Sequence, residues 1–168
     1  MRYRGVAYRA HNPKWSWSPT SGEGARLHGG RFNPKGVPAL YLSLASGTAV
    51  LEASQGFGNR FPPLTLVTYD IDCSDLLDLT KQAGLKKAKT TAASLACDWA
   101  RRAALGQNVP SWSLALRLKA EGVVGIVVPS FARGALESDK NLVLWMWSEE
   151  LPYQVCIFDP DGRLPRAP

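Results

Sequence analysis

The sequence predicts a single α+β domain. Apolar runs of strand length are interspersed with a few short helical stretches, in an irregular order with no regular strand–helix alternation. Hydrophobic residues make up 45% of the 168 residues, which supplies one buried core for a chain of ordinary domain size. No apolar stretch reaches the roughly 18 residues of a membrane span.

The elements follow in chain order. Tyr3 to Arg9 predicts a first strand, and the Trp/Pro-rich stretch His11 to Thr20 an irregular segment. Ser21 to Gly36 (SGEGARLHGGRFNPKG) carries five glycines. It reads as a structured loop whose backbone approaches something closely or adopts positive φ. Ala39 to Leu44 is a strand. Ser46 then offers an N-cap to a short helix over Gly47 to Gln55, closed by Gly56. Leu64 to Asp72 is a strand. Thr91 to Leu105 predicts one helix, because Leu95, Trp99 and Ala103 recur at i, i+4 and i+8. Ser113 to Ala120 is a further short helix. Val123 to Val128 is a buried strand ending at Pro129. Asn141 to Ser148 and Tyr153 to Phe158 read as strands, antiparallel neighbours across Glu149–Pro152. Residues 159–168 form a Pro/Arg-rich, loose tail of the single domain 1–168.

Cys73, Cys97 and Cys156 are odd in number and widely spaced. They make neither a disulfide framework nor, with His11 and His28, a metal-ligand spacing. The N-terminal MRYRGVAYR has no signal-peptide apolar region, so a cytoplasmic location without a structural metal is expected. Net charge is +6, and residues 1–60 hold eight Lys/Arg against Glu23 and Glu52, while residues 61–168 hold twelve of each sign. The excess therefore lies in the first third. It suggests an anionic partner there, nucleic acid or a phosphorylated small molecule, and the lack of a dense Lys/Arg run favours the small molecule.

Chemistry-bearing residues are densest between Ser21 and Glu52. Arg31 follows a glycine pair, and its planar fork suits phosphate oxygens; pairing with Glu23 is the alternative. Tyr41 sits in an apolar strand, either as a core aromatic or as the wall of a site. Glu52 lies among Ala49, Val50, Leu51 and Ala53, either at an exposed helix position or as a purposely buried carboxylate. No GxGxxG follows a strand, so a hydride-transferring dinucleotide fold is not supported.

In order, SGEGARLHGGRFNPKGVPALYLSLASGTAVLE resembles the signature of the RES-domain family, toxins of bacterial toxin–antitoxin pairs. The resemblance continues in PLTLVTYDID, VVGIVVPSFARG and NLVLW, and so covers nearly the whole chain. It implies a fold similar to ADP-ribosyltransferases of the diphtheria-toxin type, with mixed central sheets and short helices. It implies cleavage of the nicotinamide–ribose bond of NAD⁺ as substrate, not as cofactor. ADP-ribose then passes to a protein, water or phosphate. By the same resemblance Glu52 is the catalytic glutamate, Arg31 holds NAD⁺ phosphate or ribose, and Tyr41 packs near the nicotinamide. Ser130 matches the family serine, and Arg9 an N-terminal arginine for which Arg4 competes. The implied partner is a cognate Xre-like antitoxin that covers the cleft. Arg31, Tyr41 and Glu52 are thus expected to line one pocket, with Ser130 at its edge.

Two readings from other classes compete. A non-catalytic basic nucleic-acid-binding module would use the +6 charge and six tryptophans to hold and stack bases. A non-catalytic NAD-binding or interaction domain would have Glu52 turned away from the Arg31–Tyr41 side.

Overall fold

In the computed structural model the described residues are 1–55 and 60–167. The strands are β1 (Tyr3–His11), β2 (Leu40–Ser43), β3 (Thr65–Cys73), β4 (Leu76–Asp78), β5 (Gly125–Pro129), β6 (Lys140–Leu144) and β7 (Tyr153–Ile157). The helices are α1 (Glu23–His28), α2 (Ser46–Ala53), α3 (Gln82–Lys87), α4 (Ala92–Leu95), α5 (Trp99–Ala104) and α6 (Pro110–Ala120). The strands form one mixed seven-stranded sheet in the order β4-β5-β6-β2-β1-β3-β7. The α+β class predicted from the irregular element order is the class observed. No helix of the described residues is long and apolar enough to cross a membrane.

Pairing is uneven along this sheet. β1 pairs with β3 along its whole length, from Tyr3↔Cys73 to His11↔Thr65. β2 pairs with β6 from Leu40↔Leu144 to Ser43↔Asn141. Between β1 and β2 only Tyr8↔Ser43 are paired among the described residues. The sheet is therefore two half-sheets joined at one point, and the strands part on either side of it. The Met1 ammonium donates to the Leu76 carbonyl at 2.6 Å, and the Leu76 N–H to the Met1 carbonyl at 2.9 Å. Three strands separate β1 from β4 in the sheet, so these bonds require it to curl back on itself.

The curl encloses one core, in which Ala7, Leu42, Tyr69, Ile71, Leu142 and Val155 meet. Alternate residues of the other half-sheet, Ile126, Val128 and Val143, face outward onto Leu95, Leu114 and Leu118 of the helices, which form a second core. The two apolar sets follow from the period of two in strands and of about 3.6 in helices.

Several expectations change in the structure. The glycine-rich segment contains α1, which ends where Gly29 turns to φ +75°. α2 begins at Ser46 itself, with Ala45 at the N-cap position and no side-chain cap; Gly56 lies outside the described residues. The helix expected over Thr91 to Leu105 is two, α4 and α5. Each has its own N-cap: Thr91 accepts from Ser94 N–H and Asp98 from Arg101 N–H. α6 starts earlier than Ser113, with Pro110 in its first turn, where a missing N–H costs nothing. β4 and α3 were not expected: β4 is three residues long, too short for a readable alternation. β6 and β7 are not neighbours. β7 pairs with β3, while β6 lies between β5 and β2, so the connection crosses between half-sheets. The tail is not wholly loose. Asp159 accepts the N–H groups of Arg163 at 2.8 Å and Leu164 at 3.0 Å, and Leu164 packs on the first core.

Candidate active site

A cavity of about 260 Å³ opens where β1 and β2 part. Tyr8, Arg9 and Ala10 of β1 line it from one side and Tyr41, Leu42 and Ser43 of β2 from the other. Ala49, Glu52 and Ala53 of α2 and Asn141 of β6 complete the wall. A continuously hydrogen-bonded sheet leaves no such space between adjacent strands, about 4.8 Å apart. The single β1–β2 pair is what admits the cavity.

Glu52 is half-buried and faces a polar cluster. Its Oε1 accepts from Ser130 Oγ at 2.6 Å and from Asn141 Nδ2 at 2.5 Å. Thr48, one helical turn earlier on the same face of α2, donates to Asp139 Oδ1 at 2.6 Å. The pair Thr48 and Glu52 thus fastens α2 to the segment joining β5 to β6. Ser130 comes from the end of β5. Its N–H donates to the Asp139 carbonyl at 2.8 Å.

Tyr41 is held by the glycine-rich loop. Its hydroxyl donates to Asn33 Oδ1 at 2.7 Å and accepts the Phe32 N–H at 2.9 Å. Burial pushes its pKa well above the ordinary tyrosine value, against the Phe32 N–H and Arg31, which favour the phenolate. Tyr41 is therefore a neutral phenol at working pH. Asn33 is fully buried, and its Nδ2 donates to the carbonyls of Ala25 at 2.8 Å and Val37 at 2.9 Å. The carbonyls of Gly30, Arg31 and Phe32 are taken by Trp112 Nε1 at 2.7 Å, Ser111 Oγ at 2.5 Å and Trp145 Nε1 at 2.9 Å. With so many backbone groups tied, the loop is a rigid shelf.

Arg9 lies at the cavity. Its Nη1 donates to the carbonyls of Pro19 and Ser21, both at 3.0 Å. Burial lowers its pKa, against Tyr69, which raises it; an arginine remains charged all the same. The competing Arg4 is exposed and stands 3.8 Å from Asp72, away from this cavity. Arg31 does not line the cavity, contrary to the expectation of one shared pocket. Its Nη1 donates to the carbonyls of Cys97 at 2.6 Å and Leu95 at 3.2 Å, and its guanidinium stacks 4.5 Å from the Phe131 ring centroid. Burial lowers its pKa, while Cys97, Glu52 and Tyr41 oppose this. Glu23 pairs instead with Arg26, at 2.5 Å. No carboxylate of the described residues forms a salt bridge with Arg9 or Arg31.

Glu52 therefore faces the same side as Tyr41, with Arg9 across the cavity and Arg31 beside it. Sequence reasoning missed Tyr8, Asn33, Ser43 and Asn141. Asn33 and Asn141 stand inside GGRFNP and NLVLW, and a polar amide directly before the apolar run Leu142–Leu144 was the available signal for Asn141.

The chain matches the RES domain over residues 6–167. It is 35% identical over 78 residues to Toxin Res of Photorhabdus laumondii subsp. laumondii, covering 44% of this chain and 50% of that protein. The chain thus spans about half the length of this curated relative. Its fold is similar to that in the crystal structure of the M. tuberculosis MbcT-MbcA toxin-antitoxin complex. The TM-score is 0.60 at 21% identity, over 95% of this chain and 84% of that one. The ordered motifs read from the sequence and a family match over almost the whole length agree: the chain belongs to the RES-domain family.

Proposed function

We propose that this chain is the toxin of a toxin–antitoxin pair, acting in the cytoplasm by breaking the nicotinamide–ribose bond of NAD⁺. The observation that carries this reading is the convergence of Glu52, Tyr41 and Arg9 on one cavity, with Glu52 fixed through one oxygen. The name of the similar Toxin Res supports the toxin role.

The bond that breaks joins the nicotinamide nitrogen to the ribose anomeric carbon. Its electron pair leaves on nicotinamide, whose positive ring is thereby neutralised, so no general acid is required. Positive charge develops on the ribose, as in glycoside cleavage. Glu52 supplies the facing anion and accepts a ribose hydroxyl. Arg9, which lines the cavity, binds the pyrophosphate and holds the ribose in a reactive pose, while Arg31, outside the lining, adds positive charge nearby. Tyr41, neutral and immobile, forms a flat wall for the nicotinamide. The acceptor of ADP-ribose is water, phosphate or a protein side chain.

The test is to incubate the folded protein with NAD⁺ labelled in the nicotinamide, with and without phosphate or cell lysate. Release of free nicotinamide is expected, and Glu52→Gln lowers it by about 100-fold or more, the order of loss for a group stabilising transition-state charge. Absence of release by the wild-type protein under all of these conditions overturns the reading.

A further inference from the structure

We propose that Asn141, oriented by Ser43, is a positioning residue for the Glu52 carboxylate. It determines which carboxylate oxygen is left for the substrate. The inference rests on the NAD⁺-cleaving reading above.

Ser43 and Asn141 are direct cross-strand partners, so their side chains stand side by side on one face of the sheet. Ser43 is almost completely buried, 4% exposed. Its hydroxyl donates to Asn141 Oδ1 at 2.8 Å. An amide whose oxygen is engaged on one side turns its NH₂ to the other. There Nδ2 donates to Glu52 Oε1 at 2.5 Å. Ser130 donates to the same oxygen at 2.6 Å, and Ser130 Oγ is itself fixed by accepting the Ala132 N–H at 3.2 Å.

Two donors, one on β6 and one just past the end of β5, therefore meet on one carboxylate oxygen. A single bond would let the carboxylate swing; two from different directions stop rotation about the last side-chain torsion. Both go to Oε1, so Oε2 is the oxygen left for a ribose hydroxyl. Asparagine suits this place because it accepts at one end and donates at the other. Aspartate, of the same shape, offers only acceptors when ionised.

The decisive variant is Asn141→Asp. It sets a second carboxyl group against Glu52, and two carboxylates in contact share a proton. In the purified, folded variant nicotinamide release at neutral pH should fall about ten- to a hundredfold in kcat, the order lost with an orienting partner. KM should change little. Because the shared proton is released as pH rises, the acid limb of the pH–rate profile should move to higher pH. Ser43→Ala, a smaller change that frees the amide to turn over, should lower kcat less and leave the position of that limb unchanged. Melting curves establish that both variants are folded. A folded Asn141→Asp protein with wild-type kcat and pH profile overturns the proposal; a stability loss alone, with kinetics intact, does the same. Should the wild-type protein itself release no nicotinamide, the NAD⁺ reading fails, and potentiometric titration decides the positioning separately. Folded Asn141→Asp protein should then carry about one proton more than wild type at neutral pH, and equal proton content overturns it.

Discussion

Gly30 shows how closely single residues are specified at the site. A Cβ built there would lie 2.6 Å from the Tyr41 hydroxyl and 2.7 Å from Asn33 Oδ1, inside any tolerable contact. Gly30→Ala must push Tyr41 or Asn33 from its bond, which predicts a loss of about 1–3 kcal/mol, the usual cost of overpacking. The midpoint of urea unfolding measures it, and an unchanged midpoint would mean that the Tyr41–Asn33 bond is dispensable. Glycines in the motif were legible as points of close backbone approach; what approaches Gly30 was not, because Tyr41 reaches it from another element. Glu52 and Tyr41 were legible through the order of their motifs. Asn141 and Ser43 were not, because their meaning lies in the register of two strands that are far apart in sequence. The same limit applies to Arg31, whose partners Leu95 and Cys97 lie more than sixty residues away.

Among the elements, the break between α4 and α5 carries most information. Periodicity predicted one helix through Cys97, and it is interrupted where Arg31 takes the Leu95 and Cys97 carbonyls. Carbonyls drawn to a cation end one helix, and Asp98 caps the next. Arg31→Ala should remove the charged donor from both carbonyls, leaving Cys97 O with the Trp99 N–H at 2.8 Å alone, and remove the stack on Phe131. A loss of about 1.5–3 kcal/mol follows from hydrogen bonds to a charged group. Unchanged thermal unfolding would show that these contacts do not stabilise the fold. Three of the six tryptophans are explained at this scale too. Trp112, Trp145 and Trp147 donate their indole N–H groups to carbonyls of Gly30, Phe32 and Thr20. They brace loops rather than present rings for base stacking. α2 is tied down differently. The Thr48 hydroxyl, then the Leu136 N–H, hold the Asp139 carboxyl below the usual carboxylate range. A depressed value in the folded state contributes stability above the unfolded value of about 3.9, and loses it as pH falls through the folded value. Thr48→Val should therefore lower the melting temperature by a constant amount above about pH 5. The gap to wild type should narrow in more acidic buffer. A gap independent of pH would show that Asp139 does not depend on Thr48.

At the scale of the whole molecule, the divided sheet unites the fold and the site. Two half-sheets meeting at Tyr8↔Ser43 place Arg9 and Tyr41 on opposite walls of one opening, and α2 lays Glu52 across it. The α+β class was legible because each strand carries its own apolar pattern. The division was not, since local patterns do not reveal which strands part. Its consequence is a cleft with cations and few anions. Arg9 and Arg31 face it or adjoin it without carboxylate partners among the described residues, and the exposed Lys35 stands beside Gly29. Under the proposed function, the cell that makes this chain must silence it, and the direct way is to fill this opening. The partner expected is a cognate Xre-like antitoxin whose inserted segment ends in, or carries, a carboxylate that pairs with an arginine as a phosphate would. On that proposal the antitoxin and NAD⁺ compete for the same place, and antitoxin affinity should fall as NAD⁺ or ADP-ribose is added. Binding should also weaken with added salt, because the exposed parts of these pairs are screened within about 8–10 Å at moderate ionic strength. Titration calorimetry of the two proteins over a range of ligand and salt concentrations measures both effects. A complex that forms equally well at saturating ADP-ribose and leaves nicotinamide release intact would mean that the antitoxin acts from outside the cleft.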